Sequence, residues 1–398
     1  MNSGGARPGS LVSSDKALER SLEEVRSGGR MALDTEFLRE RTYRSKLCLV
    51  QIATPGGLWL IDPLARVDLA PVATSIADPA IEVVVHAGRQ DLELFYERFG
   101  ALPANVFDVQ IAAGFVGHGA SLPYARVVEI VLGRRLAKGE SYSDWCKRPL
   151  TDSQLRYAAD DVAWLLEVAD RLKRELAARD RTQWAAEEMK GLERTSAYEV
   201  DPSESLRRVG GRGGLPASKL GVLREVARWR EETAMRRDLP RGWVLKDPTL
   251  IEIARRGPRD LTGLKAIRGM SAAEAKRSGP DLLAAVAAGT RAGPVVEPEP
   301  LPRWAQVRAR MISGLADALV RARSERAEVA SELVATRGEL ESLIADVVTG
   351  SLDGDGGGHR LLTGWRRDLA GGAVLDLARG RIGVRASDRP PYIEEVPL

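Results

Sequence analysis

Short apolar runs of strand type occupy the first hundred residues of this chain and predict a β-sheet there. In chain order they read RMALDTEF, LCLVQIAT, LWLID and IEVVVHA, and Pro55-Gly56-Gly57 reads as a hairpin turn between the second and third. Helical spacing of apolar residues follows the fourth run and continues to about Leu176. The sequence therefore predicts an α/β domain at the start of the chain.

The rest of the sequence is helical by pattern and divides into segments. At 398 residues the chain is too long for one ordinary core, so two or three domains are expected. A glycine-rich stretch at 207–216 reads as a flexible linker, and a proline-rich joint lies at 294–303. We predict a first domain over 1–201, a linker over 202–216, helical domains over 217–293 and 300–388, and an irregular tail over 389–398.

Composition excludes several classes of protein. Hydrophobic residues make up 44% of the chain, but no run of about 18 apolar residues could span a bilayer, so no membrane association is expected. Two cysteines, Cys48 and Cys146, are too few for a disulfide framework, and with three histidines they supply few zinc ligands. The first residues do not form a signal peptide, which leaves a cytoplasmic location as the expectation.

Charge is divided unevenly along the chain. Residues 201–290 hold 18 basic and 11 acidic side chains, residues 1–200 carry a small acidic excess, and residues 291–398 are nearly neutral. A basic helical segment suits a polyanion such as nucleic acid, although a solvated basic surface gives the same count. Trp229 and Trp243 could stack on bases, but the spacing of Trp229 favours a core position. Candidate phosphate contacts are Arg224, Arg228, Arg230, Arg236, Arg237 and Arg241.

Two carboxylates stand where the first strand ends. Asp34 and Glu36 are two residues apart in GRMALDTEFLRE, so their side chains share one face of the strand. Like charges this close raise each other's pKa unless a cation lies between them, and no Lys or Arg occurs between Arg30 and Arg39. A solvated strand edge would also explain the pair, so a metal site requires further acids.

Two further acids can join them. Asp91 falls in the first turn of the helix after the fourth strand, where free N–H groups also stabilise a carboxylate. Tyr157 and Asp161 lie on a helix whose start is marked by a capping box at Thr151, within about 40° of each other beside its apolar stripe. Asp160 turns further toward solvent and is predicted to be dispensable.

These three segments resemble the exonuclease motifs of the DEDD superfamily in its tyrosine subclass. The patterns D-x-E, H-A-x-x-x-D and Y-x-x-x-D occur in that order, and QI, LIDPL, HAGRQDLE, FDVQIAA, SDW, RPLT and YAADD are similar to bacterial ribonuclease D. LREVARWREETAMRRDLPRGWVLKDPTLIEIA resembles the HRDC-type helical domain shared by RecQ-type helicases and ribonuclease D, and LLTGWRRDL resembles a second one. Val109 departs from the family pattern, in which Thr follows Asp108.

The resemblance implies a ribonuclease H-like mixed-sheet exonuclease domain followed by two all-α domains. It implies that two divalent ions, Mg²⁺ or Mn²⁺, are held by four acids and that Tyr157 orients the attacking water. Carboxylates are hard ligands that suit these ions, and two metal ions both activate water and stabilise the leaving oxygen. The implied substrate is RNA with a free 3′ end, tRNA precursors in particular. The four acids are Asp34, Glu36, Asp91 and Asp161.

Other functions stay open at this point. A site that acts on phosphate would serve a DNA exonuclease of the proofreading or repair type equally well. A non-catalytic RNA-binding scaffold would need only the basic segment, whereas an NTPase is disfavoured because GGRGG lacks a following Lys-Ser/Thr. His86 could touch the terminal nucleotide, although a histidine hydrogen-bonded within the protein at the strand end is favoured, and Phe37 could stack on the terminal base. Nothing in the sequence indicates the oligomeric state.

Overall fold

The structure is a computed structural model that describes residues 9–136, 143–295, 301–352 and 358–398. Its N-terminal part contains the strands β1 (Ser10–Val12), β2 (Arg30–Leu38), β3 (Lys46–Ala53), β4 (Leu58–Ile61), β5 (Glu82–Val85) and β6 (Val106–Asp108). They form one mixed sheet in the order β1-β4-β3-β2-β5-β6. The pairs β2–β3 and β3–β4 are antiparallel, and β1–β4, β2–β5 and β5–β6 are parallel. The four predicted strands and the hairpin turn at 55–57 are confirmed, and the three-residue β1 and β6 were not predicted.

Helices cover both faces of this sheet. One face packs against α1 (Asp15–Gly28), α2 (Ala70–Ala77) and α3 (Arg89–Phe99). The other packs against α4 (Val109–Phe115), α5 (Tyr124–Leu132), α6 (Asp152–Ala163), α7 (Leu165–Ala178) and α8 (Thr182–Met189). Single 3₁₀ turns occur at Pro63–Ala65, Lys190–Glu193 and Thr195–Ala197. The predicted α/β class with a mixed sheet is confirmed.

The middle region has a hydrophobic core of its own. It consists of α9 (Ala217–Arg237), α10 (Arg241–Val244), α11 (Asp247–Arg256), α12 (Leu261–Lys265) and α13 (Ala272–Ala292). The segment predicted as a flexible linker, 202–216, forms two 3₁₀ helices, Pro202–Arg208 and Arg212–Gly214. Leu206 and Val209 of this segment are buried in the core, because they are the apolar side chains that α9 needs to cover its own apolar face.

The C-terminal region is helical and closes with a β-hairpin. Its helices are α14 (Arg303–Arg326), α15 (Ser331–Val334), α16 (Arg337–Thr349), a 3₁₀ turn (Arg360–Leu362), α17 (Gly364–Arg366), a π-helical turn (Arg367–Gly371) and α18 (Gly372–Ala378). The hairpin pairs β7 (Ile382–Ala386) with β8 (Ile393–Pro397). The predicted irregular tail is therefore wrong, because the tail completes a ladder with β7 and Glu395 pairs with Arg323 at 2.7 Å. The predicted joint at 294–303 lies partly outside the described ranges.

The C-terminal region shares one hydrophobic core with α4–α8 of the N-terminal domain. The ring of Trp365 meets the edge of Phe115 at a centroid distance of 4.9 Å and stacks on Trp184 at 5.3 Å. Ala330 donates its N–H to the carbonyl of Gly114 at 2.8 Å. These two parts of the chain are therefore one packing unit. None of the helices in the described ranges is long and apolar enough to cross a bilayer.

Candidate active site

Asp34 and Glu36 stand on the face of β2 that α6 covers. Ala32, two residues before Asp34, is buried in the core with α4–α8, and strand alternation gives Asp34 and Glu36 the same direction. Helix α6 crosses this face and brings Asp161 to them. Carboxylate oxygens of Asp34, Glu36 and Asp161 all lie within 4.8 Å of one another.

Asp91 reaches the same place from the edge of β2. β5 pairs with β2 only over Arg30–Ala32, so α3 can approach the rest of that edge. There the Thr35 hydroxyl donates a hydrogen bond to the Asp91 carboxylate, which is 8% exposed. Asp91 lies outside the group of three, but its charge is among those that raise the pKa of Asp34. The structure therefore brings all four predicted acids to one end of β2.

Asp108 fixes the loop that leads into α3. Its carboxylate accepts hydrogen bonds from the N–H groups of Ala87 and Gly88, both at 3.1 Å, and caps α4 through Gln110 at 2.8 Å. Ala87 has a φ of 52°, a left-handed conformation that costs energy for a non-glycine residue, and these hydrogen bonds hold it. Val109, where the family pattern has Thr, is fully buried among apolar side chains.

Within the described ranges, no basic side chain forms an ion pair with any of the four carboxylates. Burial, and then the charge of Asp161, raises the pKa of Glu36 to about 8. Burial and then Asp160 raise the pKa of Asp161 to about 7, and burial raises that of Asp91 to about 7. The pKa of Asp34 is raised well above its ordinary value by burial and by Asp91. A set of hard oxygen donors that repel one another fits divalent cations such as Mg²⁺ or Mn²⁺.

Tyr157 lies one turn before Asp161 on α6, so the two side chains are on the same side of the helix. Burial, and then the charge of Asp161, raises the pKa of the phenol above its ordinary value, so the hydroxyl keeps its proton at neutral pH. The ring of Trp145 packs on Tyr157 at 5.9 Å. The loop that carries Trp145 is joined to β3 by a disulfide between Cys146 and Cys48. The sequence did not predict this pairing.

Gln51 and Tyr124 border the acids and were given no role from the sequence. Gln51 is the cross-strand partner of Asp34 and is fully buried, with no hydrogen bond to either polar atom of its amide. The hydroxyl of Tyr124 is buried, and burial together with the charges of Asp161 and Asp34 raises its pKa well above the ordinary value. A glutamine inside the apolar run LVQIAT was a visible signal, whereas nothing marked Tyr124.

Two weaker predictions have different outcomes. His86, which follows β5, hydrogen-bonds through Nε2 to the carbonyl of Leu122 at 3.0 Å. Burial lowers its pKa, which favours the neutral imidazole. Its side chain therefore has a partner within the protein, as the favoured interpretation predicted. Phe37 is partly buried against the core of α1–α3, whereas Asp34 and Glu36 lie on the face of β2 that α6 covers. Its stacking on a terminal base stays a prediction.

Known proteins resemble this chain in sequence and in fold. Residues 10–177 match the family model described as 3′-5′ exonuclease, and residues 219–286 match that of the HRDC domain. The chain is 36% identical to ribonuclease D of Acidiphilium cryptum over 391 residues, which cover 97% of each protein. It is 37% identical to ribonuclease D of Granulibacter bethesdensis over 377 residues, or 94% of this chain and 93% of that one.

The chain belongs to the ribonuclease D family. The crystal structure of Escherichia coli RNase D, described as an exoribonuclease involved in structured RNA processing, matches with a TM-score of 0.79 and 32% identity. The match covers 94% of this chain and 99% of that one. Like other members of the ribonuclease D family, this protein is a hydrolytic 3′→5′ exoribonuclease, and the predicted resemblance is confirmed.

The HRDC domain of this ribonuclease D-family chain uses several of its predicted phosphate contacts internally. Arg230 pairs with Asp247 at 2.6 Å, and Arg237 pairs with Glu274 at 2.9 Å. Trp229 is 8% exposed, which confirms its core position, whereas Trp243 is 62% exposed. Within the described ranges, seven exposed basic side chains of this domain form no ion pair, and they are Arg236, Lys246, Arg259, Lys265, Arg268, Lys276 and Arg291.

Proposed function

We propose that this protein removes nucleotides from the 3′ end of RNA, tRNA precursors in particular, with two divalent cations held by Asp34, Glu36, Asp91 and Asp161. The observation that carries the proposal is the cluster of three carboxylates within 4.8 Å of one another. The raised pKa values of Glu36 and Asp161 indicate that a nearby cation would stabilise their charged forms. No basic side chain in the described ranges forms an ion pair with them. RNA is favoured over DNA because the curated relatives are named as ribonucleases.

The reaction is hydrolysis of the last phosphodiester bond. The oxygen of a water molecule forms a bond to phosphorus while the bond from phosphorus to the 3′ oxygen breaks. The products are a nucleoside 5′-monophosphate and an RNA that is one nucleotide shorter and ends in a 3′ hydroxyl. Bound divalent cations supply the charge that lowers the pKa of the water and stabilises the leaving oxygen.

The protein's own side chains bind the cations and the RNA and orient the attacking water. Asp34, Glu36 and Asp161 present their oxygens on one face of β2, and Asp91 is held beside them by Thr35. Tyr157 keeps its proton, so it serves as a hydrogen-bond donor that orients the water rather than as a base. The exposed lysines and arginines of the HRDC domain contact phosphates, so affinity for RNA falls with salt.

Substitution of a metal-binding acid tests the proposal directly. We expect Asp34→Asn and Asp161→Asn each to lower the rate of mononucleotide release from a 5′-labelled RNA by at least about 10²-fold in Mg²⁺ or Mn²⁺, because each removes electrostatic stabilisation of the transition state. Asp160→Asn is the matched control, since Asp160 is adjacent in sequence but outside the group of three acids. It should keep activity within about twofold.

Several outcomes would contradict this function. Release of nucleotides in excess EDTA, or an unchanged rate in Asp34→Asn, would exclude the two-cation mechanism. A matched DNA strand degraded as fast as RNA would favour the DNA exonuclease. Salt-sensitive RNA binding without any nucleotide release would favour the scaffold. The cytoplasmic location stays a prediction.

A further inference from the structure

A buried polar cluster joins the HRDC domain to the nuclease, and the chemistry above does not use it. Glu231 of α9 has a side chain that is 1% exposed, and its carboxylate accepts hydrogen bonds from Arg241 at 2.5 and 2.7 Å and from the Tyr43 hydroxyl. The guanidinium of Arg241 also lies over the Tyr43 ring, 5.1 Å from its centroid. Arg208 approaches the same carboxylate at 3.6 Å. One carboxylate therefore connects three side chains from two domains.

Tyr43 belongs to the loop at 39–45 that connects β2 to β3. The same loop makes a second contact, because Arg44 donates its backbone N–H to Asp238 at 2.9 Å. Asp238 ends α9 in a left-handed conformation with a φ of 49°. Seven residues of chain span at most about 25 Å, so Tyr43 lies no farther than that from Glu36. The HRDC domain is thus anchored close to the metal-binding strand.

Polar contacts rather than apolar packing define this junction. The HRDC core is separate from the cores of the nuclease, and within the described ranges Tyr43 is the nuclease side chain that packs against it. A crevice of about 240 Å³ lies beside the cluster, lined by Arg39, Thr42, Tyr43, Pro240 and Arg241 among others. An interface of this kind fixes an orientation through few contacts.

The cluster is charged in the folded protein. Burial alone would raise the pKa of Glu231, but hydrogen bonds from Arg241 and Tyr43 hold it below its ordinary value. Burial and the contact with Glu231 raise the pKa of Tyr43 to about 12, so its hydroxyl stays a donor. Removing either partner leaves a buried charge or hydroxyl without its hydrogen bond, which destabilises the docked arrangement.

We propose that Tyr43, Glu231 and Arg241 form a latch that orients the HRDC domain on the nuclease and thereby sets the preference of the enzyme for long RNA over short RNA. The inference rests on the proposed function. An RNA whose 3′ end occupies the metal site extends past β2, and a basic domain held at a fixed place acts there as a second binding site with a high effective concentration. An RNA too short to leave the metal site gains nothing from it.

Conservative variants of the latch test this positioning role. We expect Glu231→Gln and Tyr43→Phe each to raise KM for a long RNA roughly tenfold at unchanged kcat. On a short oligonucleotide with the same 3′ sequence, kcat/KM should stay within about twofold of wild type. The double variant should cost no more than the worse single variant, because the two residues act through one contact.

The matched control is Glu225→Gln, which makes the same change of charge on α9 at a residue that pairs with Arg224 and Arg228 instead. It should leave the ratio of the two KM values unchanged. Equal losses on both RNAs, or no loss on either, would overturn the latch. If wild-type protein degrades neither RNA, the proposed function itself fails, so the two failures are distinguishable. Tyr43→Phe removes one oxygen only and keeps the test valid if Glu231→Gln misfolds.

Discussion

The HRDC domain and the C-terminal region have the same outline but join the nuclease differently. In each, a long helix ends near a non-glycine residue with left-handed φ, Asp238 at 49° and Glu328 at 50°, and a four-residue helix follows. The third residue of that short helix is Trp243 in α10 and Leu333 in α15. The two positions correspond, and their surroundings do not.

Leu333 packs against the nuclease, whereas Trp243 is 62% exposed. A Cβ built on Gly114 would come within 2.6 Å of Leu333, so the glycine is what allows this close approach. The C-terminal region thus completes the hydrophobic core of the nuclease, while the HRDC domain folds around its own core and is held by a polar latch. The same helical motif is therefore part of the nuclease core in the C-terminal region, whereas in the HRDC domain it forms a separate domain held by polar contacts.

Truncation of Trp365 should disrupt the shared core and lower stability more than the other changes considered below. Trp365 is 3% exposed and contacts Phe115 and Trp184, so Trp365→Ala should lower the free energy of unfolding by about 3–5 kcal/mol. Fluorescence and circular dichroism during urea unfolding should report one transition for the nuclease and the C-terminal region. Two separate transitions for these regions would refute the single packing unit.

In the metal-free protein, the stability of the nuclease should depend on pH more strongly than the stability of the HRDC domain. The carboxyl groups of Glu36, Asp91 and Asp161 have raised pKa values, so between about pH 4 and pH 8 the folded state binds more protons than the unfolded state. Stability of the nuclease transition should therefore fall as pH rises through this window, by on the order of 2 kcal/mol, and level off above it.

Thermal unfolding with EDTA and with Mn²⁺ measures this effect. Bound cations should remove most of the dependence of stability on pH. In the metal-free protein, Glu36→Gln should make that dependence weaker. The HRDC domain has its own core, so a slope of equal size in its transition would argue against the division.

Substitutions at the corresponding positions Leu333 and Trp243 test whether the two regions are attached to the nuclease in different ways. Leu333→Ala should destabilise the nuclease transition by about 2 kcal/mol, because it leaves a gap over Gly114. Trp243→Ala should change stability by less than about 0.5 kcal/mol, since the side chain is mostly exposed. Differential scanning calorimetry resolves both values. Similar costs at the two positions would show that the two domains are attached alike.

Local patterns predicted much of the candidate site. The end of an apolar strand placed Asp34 and Glu36, a helix start placed Asp91, and helical spacing placed Tyr157 beside Asp161. The capping box of Thr151 with Gln154 is present as predicted. Each of these features depends on a few neighbouring residues, so the sequence carries the information locally.

Contacts between distant parts of the chain were not predicted. Nothing near Trp365 indicates that it meets Phe115, and nothing near Tyr43 indicates Glu231, because each partner is ordinary in its own helix or loop. The β7–β8 hairpin was missed for a related reason, since RIGVRA and YIEEVP are short and only half apolar. From the sequence, Arg230 and Arg237 were candidate phosphate contacts because they lie in a basic segment. The fold shows that both form ion pairs within the HRDC domain.

The shared core has a consequence for how the protein is made. Phe115 leaves the ribosome about 250 residues before Trp365, the residue that covers it. At about 5–20 residues per second, the growing nuclease keeps this aromatic surface open to water for roughly 10–50 s. An unfinished chain that already contains every acid of the site therefore still carries an open apolar face, which makes it a target for chaperones and proteases until synthesis is complete.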